Sequence, residues 1–421
     1  VRCILCGSLD TKRRGRIKRS GVLLKKNLYL YTQRFYCKRC ETSFVVRKNK
    51  RKRYSYDLFI EMIKRHIEDR TSLRVIAKRL RETTHSRLSS FTVFNAVRQA
   101  SLNSKPLIEL IKELKPNFLG FLHLDGKGIK LKGKHKWEST LFIAQDSIGL
   151  PLHQRLIAGE NKLDIINFLK DIKERLNYPF KGIISDMREE IIQAVTQIMP
   201  EIPHQFCKTH ILRGIDRVLK IQPIHSQLSK LLKRLRGLKS LFIYPYSPKK
   251  ESLLKELKTT QERITHLKRE HKDTLILRRY LRIYVLSNTP QKVETRLKRI
   301  KRLRIKFNSK KKIFNLINNL IKYKNNIFAH LKTPYLPTTN NQLENLIKQY
   351  ERRLKTIEGF GKNKQAIEGH LNLIAICYCF KPHTDCKDRN KYKNGKSPLE
   401  LAGFSTKGID WVRFALKNRS S

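Results

Sequence analysis

The sequence predicts an α/β protein in which a core of short strands and helices is flanked by a cysteine-bearing segment and by helical stretches. Three observations lead there. Between about residues 118 and 207, short apolar runs alternate with stretches of helical periodicity. On either side, about 55–104 and 214–325, apolar residues recur at the helical interval. Ahead of both stand two tight cysteine pairs, Cys3-x2-Cys6 and Cys37-x2-Cys40.

Within the core region, the apolar run from Phe118 to Leu124 reads as a strand ending at Asp125. Thr140–Ala144 and Leu152–Ala158 read as the next two strands, and 162–176 as a helix. Gly182–Ser185 is a further short strand ending at Asp186. Met187–Ile198 reads as a second helix and His204–Cys207 as a last strand. Three strands, helix, strand, helix, strand is the order of an RNase H-like domain, with mixed rather than wholly parallel pairing.

The cysteine pairs suit a four-sulfur zinc site, because each x2 turn aims two thiolates at one metal. A pair of disulfides is the competing reading. The segment between the pairs is basic (Lys12, Arg13, Arg14, Arg16, Lys18, Arg19, Lys25, Lys26), and a basic run follows at 47–53. Leu58, Phe59, Met62, Ile63 and Ile67 mark a first helix. Thr71-Ser72 and Ser89-Ser90 can cap two more. Three short helices with Arg74, Lys78, Arg79, Arg87 and Arg98 on a basic face resemble a helix-turn-helix, though any small bundle shares that periodicity. Five segments are expected: a zinc ribbon-like module with a basic arm (1–53), a helix-turn-helix (54–112), the first part of the RNase H-like core (113–213), a basic helical insertion (214–330), and the final part of the core (331–421).

The chain has 421 residues, and its 92 Lys and Arg against 35 Asp and Glu give a net charge of +57. Such an excess calls for a polyanion, and nucleic acid is the evident one. Residues 214–325 alone hold 31 basic against 7 acidic residues. The longest apolar run, Leu373 to Phe380, is too short to cross a bilayer. A cytoplasmic protein at the nucleoid is the expected setting.

Asp125 and Asp186 follow predicted strands, where carboxylates are exposed yet rigidly held. Hard divalent ions such as Mg²⁺ or Mn²⁺ take such oxygens, and two ions about 3.5–4 Å apart can activate one oxygen and stabilise another in phosphodiester chemistry. Glu344, in Thr338-Thr-Asn-Asn341-x2-Glu344, is the candidate third acid. Each acid has a plainer reading: Asp125 as a turn former, Asp186 as a helix cap, and Asn341-x2-Glu344 as a capping box. Cys207-x2-His210 lies one helix beyond Asp186 and can share a metal or a hydrogen bond.

Together these residues resemble a DDE transposase of a prokaryotic insertion sequence, similar to the mutator-like group. The resemblance spans roughly 115–403. It rests on Leu124-Asp125-Gly126, Ile184-Ser185-Asp186, Cys207-x2-His210, Thr338-Thr339-Asn340-Asn341-x2-Glu344 and a late Ser397-Pro398-Leu399-Glu400-Leu401-Ala402-Gly403. It implies that Asp125, Asp186 and Glu344 bind Mg²⁺ and that Cys207 and His210 match the C/D-x2-H signature supporting the site. It also implies that the amino-terminal modules bind double-stranded DNA at terminal inverted repeats, and that cleavage and strand transfer to target DNA run in a homodimer or larger assembly. The rivals are a transposase-derived regulator without catalysis, an RNase H-like nuclease, and an RNA-binding protein.

Overall fold

The computed structural model describes residues 1–3, 6–22, 27–45, 54–129, 139–159, 161–241, 250–307, 309–354 and 363–416. The basic run 47–53, together with Lys25 and Lys26, lies outside the described residues.

The chain begins with an antiparallel sheet of β1 (Thr11–Val22), β2 (Asn27–Cys37) and β3 (Ser43–Phe44). Among the described side chains, Cys3, Cys37 and Phe44 are buried, with Phe35 and Cys40 against them. Helices α1 (Tyr56–Ile67), α2 (Leu73–Thr84) and α3 (Ser90–Leu102) follow. The serines Ser55, Ser72 and Ser89 accept the backbone N–H of Leu58, Val75 and Thr92, so each start is written in the sequence. Leu58, Met62, Ile76, Leu80, Val93 and Val97 close a small core between them. A further helix, α4 (Leu107–Leu114), runs across the expected 112–113 boundary and buries Leu107, Ile108, Leu110 and Ile111.

The central sheet contains β4 (Phe121–Gly128), β5 (Thr140–Asp146), β6 (Pro151–Ile157), β7 (Gly182–Ser185) and β8 (His204–Phe206). Helix α5 (Lys162–Leu176) lies between β6 and β7 in sequence, and α6 (Glu189–Ile198) between β7 and β8. The spatial order is β6-β5-β4-β7-β8. β4, β5 and β6 pair antiparallel, while β4–β7 and β7–β8 are parallel. One expectation needs correcting. β4 starts three residues later than the apolar run and continues to Gly128, so Asp125 lies inside the strand and not at its end. The hairpin partner is the reason, since β5 pairs with β4 as far as Gly128↔Thr140, beyond the apolar stretch. Gly120 makes the entry to β4 possible: at φ +92° an added Cβ would stand 2.3 Å from the Pro179 carbonyl oxygen.

Beyond the sheet come α7 (Lys208–Val218), α8 (Ile221–Leu241), α9 (Lys250–Glu270), α10 (Lys272–Val285), α11 (Pro290–Lys306), α12 (Lys311–Lys322) and α13 (Lys324–Ile327). They close a second core around Phe206, Ile215, Leu281, Tyr284, Ile317 and Leu320. The α8 and α9 pair is the exception: after Ile221 and Ile224 at the start of α8, the buried residues along these two long charged helices are Leu238, Thr260 and Ile264. The chain then returns to the sheet with α14 (Asn341–Leu354), α15 (Lys364–Phe380), α16 (Pro398–Leu401) and α17 (Trp411–Ala415). Leu343, Leu346 and Tyr350 of α14 enter the same core as Leu122 and Leu124 of β4 and Ile60, Ile63 and Ile67 of α1. The three-helix segment is therefore packed onto the sheet. Among the described residues, no helix is long and apolar enough to cross a membrane.

Candidate active site and metal centre

The parallel register sets the first two acids side by side. Leu122 pairs with Ile183 and His123 with Ile184, so the chain delivers Asp125, two residues further along β4, and Asp186, the first residue after β7, to the same end of the strand pair. Adjacent strands lie about 4.8 Å apart. Glu344 arrives from α14, and all three carboxylates line one cavity of about 580 Å³. His210, Arg188 and Arg213 line it too.

The plainer readings of the acids do not match their placement. Asp125 sits within β4, paired with Ile143, and not in a turn. Helix α6 starts after Arg188 with no side-chain cap, so Asp186 does not cap it. Helix α14 begins at Asn341, and Glu344 donates its backbone N–H to the Asn340 carbonyl. The Glu344 carboxylate turns into the cavity, where Arg213 holds it in a fork at 2.8 and 3.2 Å and His210 stands 3.8 Å away.

The electrostatics are those of buried acids. Burial raises the Asp125 carboxyl above its usual range, against the opposing pull of His210. Asp186 is pushed up to about 7, first by burial and then by the Asp125 charge. Arg188 Nε reaches Asp186 Oδ2 at 2.8 Å, yet the buried Oδ1 has no hydrogen-bond partner. An orphaned carboxylate oxygen within electrostatic reach of a second desolvated acid fits a divalent cation, which would lower both pKa values.

Cys207 and His210 are brought to the same place. Cys207 follows β8, donates its N–H to the Ser185 carbonyl at 2.7 Å, and opens α7. A hydrogen bond with Cys207 raises His210 to about 8, with burial opposing and Asp125 and Asp186 adding their attraction. Burial alone would lift the Cys207 thiol. Its bonds to His210 and to the Asn340 N–H, 3.2 Å from the sulfur, bring it below its ordinary value instead.

Three residues to which sequence reasoning gave no role, Asn340, His123 and Arg213, tie this together. Asn340 is fully buried. Its amide donates to the Leu124 carbonyl at 2.8 Å, and its Oδ1 meets His123 Nδ1 at 2.8 Å. One side chain thus fastens the start of the Glu344 helix to the Asp125 strand, while its backbone N–H engages Cys207. Arg213 lies three residues after His210 on the same face of α7, a spacing that could have flagged it. The long-range His123–Asn340 contact left no local signal.

At the amino terminus, Cys3 and Cys40 are 3.6 Å apart sulfur to sulfur, as are Cys6 and Cys37, and all four sulfurs lie within 4.8 Å of one another. A tetrahedral zinc with Zn–S bonds of about 2.3 Å separates its sulfurs by about 3.8 Å, whereas a disulfide needs about 2.05 Å. The set fits a metal. Arg74, Lys78, Arg79, Arg87 and Arg98 are all exposed, and none joins an ion pair among the described residues. Lys12, Arg13, Arg14 and Arg16 are exposed on β1, with Lys12 and Arg14 over the Tyr36 ring.

Residues 192–367 match the model of the transposase IS66 family. The match supports a transposase function. Its span takes in Cys207, His210, Asn340 and Glu344 and begins just after Asp186. No curated protein matches the chain.

Proposed function

We propose that this chain is a DNA transposase of a prokaryotic insertion sequence, with an RNase H-like core and the mutator-like arrangement of its acids. The observation that carries the proposal is the convergence of Asp125, Asp186 and Glu344 on one cavity, on a chain with net charge +57. The sheet order, in which the three antiparallel strands come first in sequence and the two parallel strands last, supports the RNase H-like reading.

The three carboxylates would hold Mg²⁺ or Mn²⁺. When bound, such a cation pair activates an attacking oxygen and stabilises a leaving one. The chain's own part is positioning and charge. Asn340 holds Glu344 against the Asp125 strand, and His210, charged at neutral pH, balances the acids. Arg188 and Arg213 neutralise the carboxylates and stand ready to meet a phosphodiester at the cavity mouth. The four cysteines would hold Zn²⁺. The zinc module and the helices carrying Arg74, Lys78, Arg79, Arg87 and Arg98 would bind double-stranded DNA at the element's inverted repeats, and joining two ends to target DNA calls for a homodimer or larger assembly. The setting is the cytoplasmic nucleoid.

The test uses the full-length protein with Mn²⁺ or Mg²⁺ and duplexes bearing the repeats that flank its gene. Nicking that leaves a 3′-hydroxyl, followed by joining to target DNA, is expected. Asp186→Ala and Glu344→Ala should lose both steps and keep duplex binding. A wild type that binds these ends and never nicks them would leave only a DNA-binding regulator. Nicking without joining would leave a nuclease.

A further inference from the structure

A second cavity, of about 860 Å³, lies along α14 on the side away from the acids. Its walls are the loop before α14, polar residues of α14, and the segment 383–393 that precedes α16. The two cavities share one residue, Lys348, which stands on the ridge between them.

Three features of this cavity are unlike an ordinary polar dent. First, Tyr335 at its rim is 93% exposed and adopts φ +63°, a left-handed conformation uncommon for a bulky side chain. The next residue explains the pose: Leu336 is pinned inward against Phe121 and Ile184, so the chain throws Tyr335 outward. Second, Tyr392 on the facing segment is 64% exposed. Third, Lys393 lines the cavity with only 8% exposure, and burial lowers its pKa. It makes no ion pair among the described residues, although Asp385 lines the same cavity, and its ammonium stands 5.8 Å from the centre of the Tyr392 ring. Arg352 and Lys387 add two further exposed cations.

We propose that this cavity binds an unpaired nucleotide of the DNA strand that runs through the active site, its base on Tyr335 and its phosphate near Lys348 and Lys393. Aromatic faces combined with a positive groove are the means by which proteins hold single strands. The cavity is of small-molecule size, within about 300–1,000 Å³, so it takes a splayed nucleotide and not a duplex. Lys348, common to both cavities, gives the backbone a continuous cationic path from the acids across α14. The inference rests on the DNA-cleaving reading of the first site, but its test does not need cleavage.

The experiment measures binding of the full-length protein, in Ca²⁺ to prevent cleavage, to two duplexes of the same sequence, one blunt and one with a few unpaired bases beside the scissile position. Stacking of one base on an aromatic contributes about 1–3 kcal/mol, or roughly 5- to 150-fold in affinity. Tyr335→Ala should therefore weaken binding of the splayed duplex at least about fivefold and leave the blunt duplex within about twofold. Tyr335→Phe should bind both like wild type, which controls for folding. A 2-aminopurine at the unpaired position should be quenched by wild type and not by Tyr335→Ala. Equal losses on both duplexes, or none on either, overturn the subsite. If Tyr335→Ala still nicks and shows no splayed-duplex defect, the subsite falls and the transposase reading stands. A selective defect in a protein that never nicks leaves the subsite and removes the enzyme.

Discussion

The amino-terminal sheet and the central sheet solve the same problem in opposite ways. The central sheet buries its strands on both faces, and its core runs from α1 through β4 to α17. Among the described side chains of the amino-terminal sheet, a small cluster of Cys3, Cys37 and Phe44 is buried. A sheet of two long strands and a third of two residues is marginal in water on its own. Its four convergent sulfurs are where the missing stability would come from, through a metal. The central sheet can instead afford acids that destabilise it. Asp125 and Asp186 are desolvated and repel one another, a strain that a large apolar core can tolerate.

Removing zinc is the sharpest way to break this comparison. Structural zinc sites in small modules contribute about 10–16 kcal/mol. Cys37→Ser, or a chelator, should remove about one zinc per chain and melt β1–β3. The central sheet should keep its melting transition. A module that stays folded and binds DNA without metal would overturn the zinc assignment.

Asp186→Asn should do the reverse. It removes a carboxylate that the cavity disfavours, so in zinc-containing, magnesium-free buffer the protein should gain about 1–3 kcal/mol in denaturant unfolding. Nicking should fall about a thousandfold or more, since each 1.36 kcal/mol of lost transition-state stabilisation is tenfold in rate. A variant that is inactive and also less stable would point to a structural aspartate.

Asn340→Ala should cost about 1–3 kcal/mol, because the Leu124 carbonyl and His123 lose a buried partner. It should also raise the Mg²⁺ concentration needed for half-maximal nicking several-fold. Loss of stability without a change in metal requirement would reduce Asn340 to packing.

The pH dependence distinguishes the two regions more gently. Burial lowers His66 and His204 to about 3, and His123 and His330 to about 4. Each stays neutral in the fold while the unfolded chain protonates near 6.5. Their stabilisation is therefore complete above about pH 6.5 and is lost as pH falls below it, by up to about 1.4 kcal/mol per pH unit for each group. Asp186 and Asp125 work against this, since their raised pKa values favour proton uptake by the folded state. The four histidines outnumber the two acids, so the central melting transition should still drop between pH 6.5 and 5. The smallest effect concerns DNA: Arg74, Lys78 and Arg79 changed together to Ala should reduce the salt slope of duplex binding by about 3 if all three meet phosphates.

Some of this was legible from local pattern. Serine caps, apolar periodicity and the β-strand runs placed α1, α2, α3, α5 and β7 to within a few residues, because each is set by neighbours in the chain. The Cys-x2-Cys pairs announced their convergence for the same reason. Asp125 was placed at a strand end because the apolar run stops there, while the true strand is extended by pairing with β5, which the run itself cannot show. Helix α4 was missed because eight residues carry too little periodicity.

The sequence by itself determined the charge, the cysteine cluster and the order of elements, all of which depend on composition and short spacing. Only the tertiary structure decided that Asp125 and Asp186 line one cavity, that Glu344 points to Arg213 and not back to its own helix start, and that a buried Asn340 fastens the Glu344 helix to the Asp125 strand. Those facts depend on strand register and on contacts more than two hundred residues apart, such as His123 with Asn340. Register and long-range packing are settled by burial of the whole core and leave no mark in any local window of the chain.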